Sequence, residues 1–233
     1  MISQDDLRQQ LIAATARYDI AVNPFVEGIG EGIYPQSSLH HFGKVVVEMA
    51  SAFPYTLAAI LSCCDNLDVR QSLLANLLEE EGGVSFKAGS GLVVDRTRRH
   101  SELAARFAQA VGVDIQDDCR LVEQPQWITQ KLRERCWIGP LAYFAVGYEL
   151  NVPFTFRALL GGLRTHYGFT DDELLFFTEH LDADERHGAE GIAMITAAAK
   201  TPSMQRDAIE GARRGALVWW QLLRRLDKIV SQQ

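Results

Sequence analysis

Clusters of positive charge are missing from this chain. Acidic residues outnumber basic ones, 30 against 23, for a formal net charge of −7. No lysine- or arginine-rich run interleaved with aromatics occurs. A phosphate backbone is gripped by clustered cations, so no nucleic-acid partner is expected. No apolar run approaches the roughly 20 residues needed to cross a bilayer, so no membrane partner is expected either. The start, Met1-Ile2-Ser3-Gln4-Asp5-Asp6, shows neither the basic nor the apolar region of a secretory signal. Cysteine is scarce, and Cys63, Cys64, Cys119 and Cys136 form no CxxC pair and no disulfide ladder. A cytoplasmic, reducing setting follows most simply. Strand-like alternation is also hard to find.

What is present is helical periodicity in a composition ordinary for a globular protein, 47% hydrophobic and 23% charged. Asp5 to Tyr18 reads as a helix with Leu7, Leu11 and Ala14 on one stripe. Asn23-Pro24-Phe25 breaks it, because the residue before proline avoids helical geometry. Gly28, Gly30 and Gly32 then suggest a flexible turn. Ser37 to Cys64 is helical with a kink expected at Pro54, and Leu67 to Glu81 follows. Gly82 to Thr97 has no clear period, and its glycines suggest a surface loop or flap. Further helices are expected from Arg98 to Val111, Trp127 to Leu150 (bent near Gly139-Pro140), Phe154 to Tyr167, Asp171 to Lys200 and Pro202 to Val230. Val113 to Pro125 reads as irregular. Thr170 and Glu173 have the spacing of an N-terminal capping box. With no internal repeat and no linker, residues 1–233 are expected to form a single all-α domain.

The expected helix from Asp171 carries the most informative pattern. At about 100° per residue, His180, Asp184 and His187 share an arc of about 60° with Phe176, Phe177, Gly191, Met194 and Ile195. Glu179, Asp182, Glu185, Arg186 and Glu190 lie opposite. Two imidazoles and a carboxylate thus sit within the stripe that should face the core. Buried polar groups need partners, and one metal ion would satisfy all three. Glu149 shares a face with Ala142, Ala145, Val146 and Phe156. His100 lines up with Leu103, Ala104 and Phe107. Glu80 lies with Leu73, Asn76 and Leu77, but Glu81 lies near Leu74, Leu77 and Leu78, so the wheel does not choose between them. Mixed nitrogen and oxygen donors suit iron or manganese better than a structural zinc site, which would recruit thiolates. The plainer alternatives are core histidines with hydrogen-bond partners and solvated glutamates at a helix end. His40 and His41 are adjacent, so their side chains should diverge by about 100°, arguing against a shared metal. Cys63, Cys64, Tyr55, Tyr143 and Tyr148 read as packing residues.

Taken together, the Asn76-Leu77-Leu78-Glu79-Glu80-Glu81-Gly82 run, His100-Ser101-Glu102-Leu103, Gly147-Tyr148-Glu149 and His180-x3-Asp184-x2-His187 resemble the heme-oxygenase-like diiron oxidases. The resemblance implies a heme-oxygenase-like helical bundle with two iron ions (manganese being an alternative) held by Glu80, His100, Glu149, His180, Asp184 and His187. It also implies O2 as co-substrate and a small amino-acid-like or fatty-acid-like substrate in a biosynthetic pathway. Relatives are often homodimers, and Leu217 to Leu226, with Trp219 and Trp220, would be the surface to pack against a partner. One departure is the glycine-rich insertion between Glu80 and His100, which the family often places closer together. Two sister branches are also similar. The cofactorless pyrroloquinoline quinone synthase C branch shares echoes of Cys136-Trp137, Glu149, Pro153, Asp184 and His187 but lacks the residue at His180. Thiaminase II uses a cysteine nucleophile, for which Cys136 is the only candidate. A non-catalytic helical interaction protein with a buried polar network is the remaining alternative.

Overall fold

The structure, a computed structural model, describes residues 1–87, 91–115 and 125–232; at residues 21, 84–87, 92 and 182–185 it describes the backbone but not the side chains. Among the described residues it consists of ten α-helices and one two-stranded hairpin. The helices are α1 (Gln4–Thr15), α2 (Pro24–Glu31), α3 (His40–Cys63), α4 (Leu67–Glu80), α5 (His100–Ala110), α6 (Gln126–Arg133), α7 (Ile138–Ala145), α8 (Val152–Tyr167), α9 (Leu175–Ala198) and α10 (Pro202–Val230). Side chains set many of the starts. Asn23 accepts a hydrogen bond from Phe25 N at 3.1 Å, Asn66 from Val69 N at 3.1 Å, and Thr201 from Met204 N at 3.2 Å. Each satisfies an amide that the first helical turn leaves open. The capping box ahead of α9 is formed: Glu173 accepts from Thr170 N at 2.8 Å and donates its own amide to Thr170 Oγ1 at 3.3 Å. The turn it closes precedes the α-helix proper, which begins at Leu175.

Three local expectations are corrected. Gly28 and Gly30 lie inside α2, and only Gly32, at φ 67°, ends it in the left-handed conformation that glycine adopts without strain. Gly82 to Thr97 contains an antiparallel pair, β1 (Gly83–Lys87) and β2 (Gly91–Val94), in place of a loop. Trp127 to Leu150 is not one bent helix. The chain leaves α6 through Arg135, at φ 56°, and restarts at Ile138. Pro140 then falls in the first turn of α7, where its missing N–H costs nothing. By contrast, Pro54 lies within α3 as expected.

α7 is the core element, with every residue but Phe144 buried. α10 runs along it, and the two backbones meet so closely that a Cβ at Gly215 would collide with the Tyr143 carbonyl oxygen. α3 packs on α5 and α4, and α8 packs between α2 and α9. An aromatic cluster joins these layers. Phe107 meets Phe177 edge to face at 4.8 Å and Phe42 at 5.4 Å, and all three are fully buried. Burial of each ring is worth about 1.5–3 kcal/mol, with about 0.5–1.5 kcal/mol more for each edge-to-face pair. The segment Gln36–Cys63 is long and apolar enough to cross a membrane, but half of its most apolar window is buried against the rest of the molecule, as in a core helix. Trp219, considered above as a partner-facing residue, is only 3% exposed and packs inward with Leu223 and Leu226.

Candidate metal centre

Three of the six expected ligands converge. Donor atoms of Glu80, His100 and His180 lie within 4.8 Å of one another. Glu80 and His100 are buried and His180 is half-buried. Glu80 is the last residue of α4 and His100 the first of α5, with the hairpin between them. The hairpin explains how the long insertion leaves them adjacent. Pairing of Gly83 with Val94, and the 2.8 Å bond from Asp95 N to Gly82 O, bring the chain back to its starting point. His100 Nδ1 then sits 2.9 Å from Glu80 Oε2. His180 reaches the same place from α9, its ring 4.3 Å from that of His100. Phe176 and Phe156 pack on His180 at 4.2 and 5.8 Å. His180 Nδ1 is 2.7 Å from the Phe176 carbonyl oxygen. A carbonyl can only accept, so Nδ1 carries a proton and, in the neutral ring, the lone pair lies on Nε2.

The consecutive glutamates at the end of α4 do three different things. Glu80 is 4% exposed and turns into the cluster. Glu81 is only half-buried and pairs with Arg99 at 2.8 Å, which answers the ambiguity left by the helical wheel in geometric terms. Glu79, not singled out in the sequence, accepts from His187 Nε2 at 3.0 Å and from Arg186 at 3.2 and 3.0 Å. The hydrogen bond from His187, reinforced by Arg186, outweighs burial and holds the Glu79 carboxyl at about 2. Because a carboxylate accepts, His187 donates through Nε2 and directs Nδ1 elsewhere. Its neighbourhood is a small cavity that Glu149, Asn76 and His187 line together. Glu149 opens a short 3₁₀ turn (Glu149–Asn151) between α7 and α8, is 5% exposed, and accepts from Asn76 Nδ2 at 3.4 Å. Gly191 lets α9 come close to this region, since a Cβ there would collide with the Ala145 side chain. Glu149 also lines a second, larger cavity with Glu80 and His180, and so links the two groups of residues. Asp184 lies on α9, but its side chain is outside the described residues.

The donor chemistry fits iron. Two imidazoles and a carboxylate within bonding reach of one point, in a buried setting, form the mixed set that iron and manganese accept. Both described α9 histidines have the orienting hydrogen bonds on their outer nitrogens that metal-bound histidines use.

Other candidates fare differently. The rings of His40 and His41 do not diverge; they pack at 3.8 Å, and His40 Nδ1 lies 2.8 Å from Ser37 O. Tyr55 is 81% exposed and packs against nothing substantial. Tyr143 is buried, which raises its hydroxyl well above the ordinary range. The Cys136 thiol is likewise raised, chiefly by burial, and donates to Asp207 at 3.5 Å. A nucleophile needs the thiolate, so these surroundings speak against the thiaminase-like role. Cys119 lies outside the described residues. Glu48 of α3 is a buried carboxylate that lines neither cavity, and neither of its oxygens has a hydrogen-bond partner among the described residues.

Comparison with known proteins agrees with this chemistry. The model of a family described as iron-containing redox enzymes matches residues 46–220. The 4-aminobenzoate synthase of Chlamydia muridarum is 28% identical over 197 residues, covering 80% of this chain and 76% of that protein. The 4-aminobenzoate synthase of Chlamydia trachomatis serovar D is 29% identical over 176 residues, covering 71% and 68%. Among solved structures, a CADD-like protein of unknown function from Nostoc punctiforme superposes with a TM-score of 0.68 at 18% identity, covering 97% of this chain and 98% of its own. A domain of unknown function from Shewanella denitrificans, described as having a heme oxygenase-like fold, gives 0.67 at 15%, covering 98% and 93%. The chain therefore has the heme oxygenase-like fold.

Proposed function

Because the chain belongs to the iron-containing redox enzymes, we propose that it is an O2-dependent oxidase or oxygenase with two iron ions that acts on a small organic substrate in a biosynthetic pathway. The observation that carries this is the convergence of Glu80, His100 and His180 beside a cavity that Glu149 also lines. Glu80, His100 and His180 would hold one ion. Glu149, His187 and Asp184 would serve the other, and Glu80 and Glu149 line one cavity. Bound ferrous iron would supply the electrons and open coordination positions that activate dioxygen. The chain's own residues do the rest. Phe176 O and Glu79 fix the protons on the outer nitrogens of His180 and His187, keeping a lone pair on each inner nitrogen. The carboxylates of Glu80 and Glu149 offset the charge of the cations. Phe156 and Phe176 keep bulk water from the cluster, and the walls of the larger cavity hold the substrate against it.

Anaerobic Fe(II) loading, metal analysis and oxygen-consumption measurements test this proposal. Less than a tenth of an iron or manganese per chain would sink it and favour the cofactorless reading, in which His100 and His187 act as acid and base. The chlamydial relatives support a narrower version, formation of 4-aminobenzoate, through identities of 28–29% over most of their length. Product analysis by mass spectrometry after exposure to oxygen tests that version separately.

A further inference from the structure

The larger cavity extends from Glu80, Glu149 and His180 into walls drawn from α3, α7, α8, α9 and α10. Its volume is about 140 Å³. An engineered cavity of about 150 Å³ accommodates benzene, so the space suits roughly one aromatic ring with a small substituent. Most polar side chains in its lining are already engaged. Glu80 meets His100 Nδ1 at 2.9 Å, Glu149 accepts from Asn76, and His180 donates to the Phe176 carbonyl oxygen. Thr56 donates to the Ala52 carbonyl oxygen at 3.3 Å, and Tyr148 donates to Met49 Sδ at 3.5 Å. Two lining residues differ. Trp219 is 3% exposed, and its indole N–H has no hydrogen-bond partner among the described residues. Tyr143 is 5% exposed, and its hydroxyl forms no hydrogen bond among them either. The two lie on helices in contact, since Gly215, one turn before Trp219, packs against the Tyr143 carbonyl oxygen.

A buried donor with nothing to donate to is costly, and native folds keep few of them. An indole N–H can only donate. Burial holds the Tyr143 hydroxyl well above its ordinary range, so the phenol keeps its proton and can donate as well. A carbonyl oxygen carries two lone pairs and can accept from both. We propose that Tyr143 and Trp219 are specificity-determining donors that receive the carbonyl oxygen of a compact, largely aromatic substrate. A molecule of the same shape without that oxygen would seal both donors from water and leave them unpaired. The proposal takes from the redox reading above only that this chamber receives the substrate, and the two donors need no iron to act.

Anaerobic calorimetric titration of the Fe(II)-loaded protein with acetophenone and with isopropylbenzene, which has the same shape but no oxygen, tests this. Tyr143→Phe and Trp219→Phe each remove one donor and keep an aromatic ring. In each variant the affinity for acetophenone relative to isopropylbenzene is expected to fall about tenfold. Taking the ratio cancels any change in chamber size that affects both ligands. An unchanged ratio in either folded variant, or no measurable binding of acetophenone by the parent, would overturn the proposal. Iron content measured on the same samples judges the redox reading separately. An unchanged ratio in protein that holds its iron leaves that reading standing, whereas a fallen ratio in protein that takes up no iron supports the donor pair and refutes it. A second readout needs no variant. In the metal-free parent, the nuclear magnetic resonance signal of the Trp219 indole N–H should move to lower field with acetophenone and not with isopropylbenzene. A signal that acetophenone leaves in place would overturn the proposal.

Discussion

Replacing Glu79 separates the orientation of His187 from the general stability of the fold. The carboxylate accepts from His187 Nε2 at 3.0 Å and from both terminal nitrogens of Arg186 at 3.2 and 3.0 Å. The arginine contact is half open to solvent, with side chains 48% and 34% exposed, so it is worth about 0–1 kcal/mol. The histidine contact involves a ring only 6% exposed, and a hydrogen bond to a charged group is worth about 1.5–3 kcal/mol where it is dry. Glu79 itself is partly solvated, so a loss of about 1–2 kcal/mol of folding stability is expected for Glu79→Ala. Its effect on iron should be larger, because removing an outer partner of a ligand histidine usually lowers metal affinity about 10–100-fold. Glu79→Gln keeps an amide oxygen to accept from Nε2 and should recover most of that affinity. Arg186→Ala should leave it within about twofold, since only the surface pair is lost. Chelator competition against Fe(II), run beside denaturant unfolding, reads both quantities. A folded Glu79→Ala variant that binds iron as tightly as the parent would refute the orientation of His187 by this carboxylate.

Other substitutions probe the scaffold and its charges. Phe177→Ala empties a fully buried position among Phe42, Phe107 and Phe156, and thermal unfolding should show a loss of about 3–5 kcal/mol. An unchanged melting temperature would mean the aromatic cluster is not the core. Gly215→Ala should cost about 1–3 kcal/mol, because the added methyl meets the Tyr143 carbonyl across the α7–α10 contact. A neutral effect would show that the helices are further apart. Glu210 accepts from Arg213 at 2.9 and 2.8 Å and from Arg214 at 2.6 Å, and the Arg213 bond in particular depresses its carboxyl. The folded value lies below the unfolded one, so the stabilisation is present above the ordinary glutamate range and is lost as pH falls through the depressed value. Glu210→Gln should thus cost about 0.5 kcal/mol at neutral pH and nothing measurable near pH 2, the small size reflecting a partly exposed pair. An equal cost at both pH values would contradict that sign.

The helices were legible because their signals are local. Periodicity located α1, α3, α4, α5, α8 and α10, and Thr170 with Glu173 marked the approach to α9. The glycines misled in both directions. Gly28 and Gly30 are held helical by the packing of α2 on α8, and the hairpin at 82–95 depends on cross-strand pairing between residues that no short window compares. Glu80 is buried, but its own wheel does not separate it from Glu81. His100, Glu149 and His187 were readable because each shares a face with apolar residues, and all three are buried. Glu79 was not, since its role is defined by Arg186 and His187 of α9, which come near it only after folding. Trp219 and Trp220 read alike in the sequence. The bundle buries the first against Tyr148 at 4.7 Å and leaves the second half-buried beneath Arg224.

The most direct test of a two-iron centre is the iron content of protein loaded anaerobically with Fe(II) and freed of excess metal, measured for the parent chain and for His180→Ala and His187→Ala. About two irons per chain are expected in the parent, with each variant losing at least one. Fewer than a tenth of an iron per parent chain, or full occupancy in both folded variants, would contradict it.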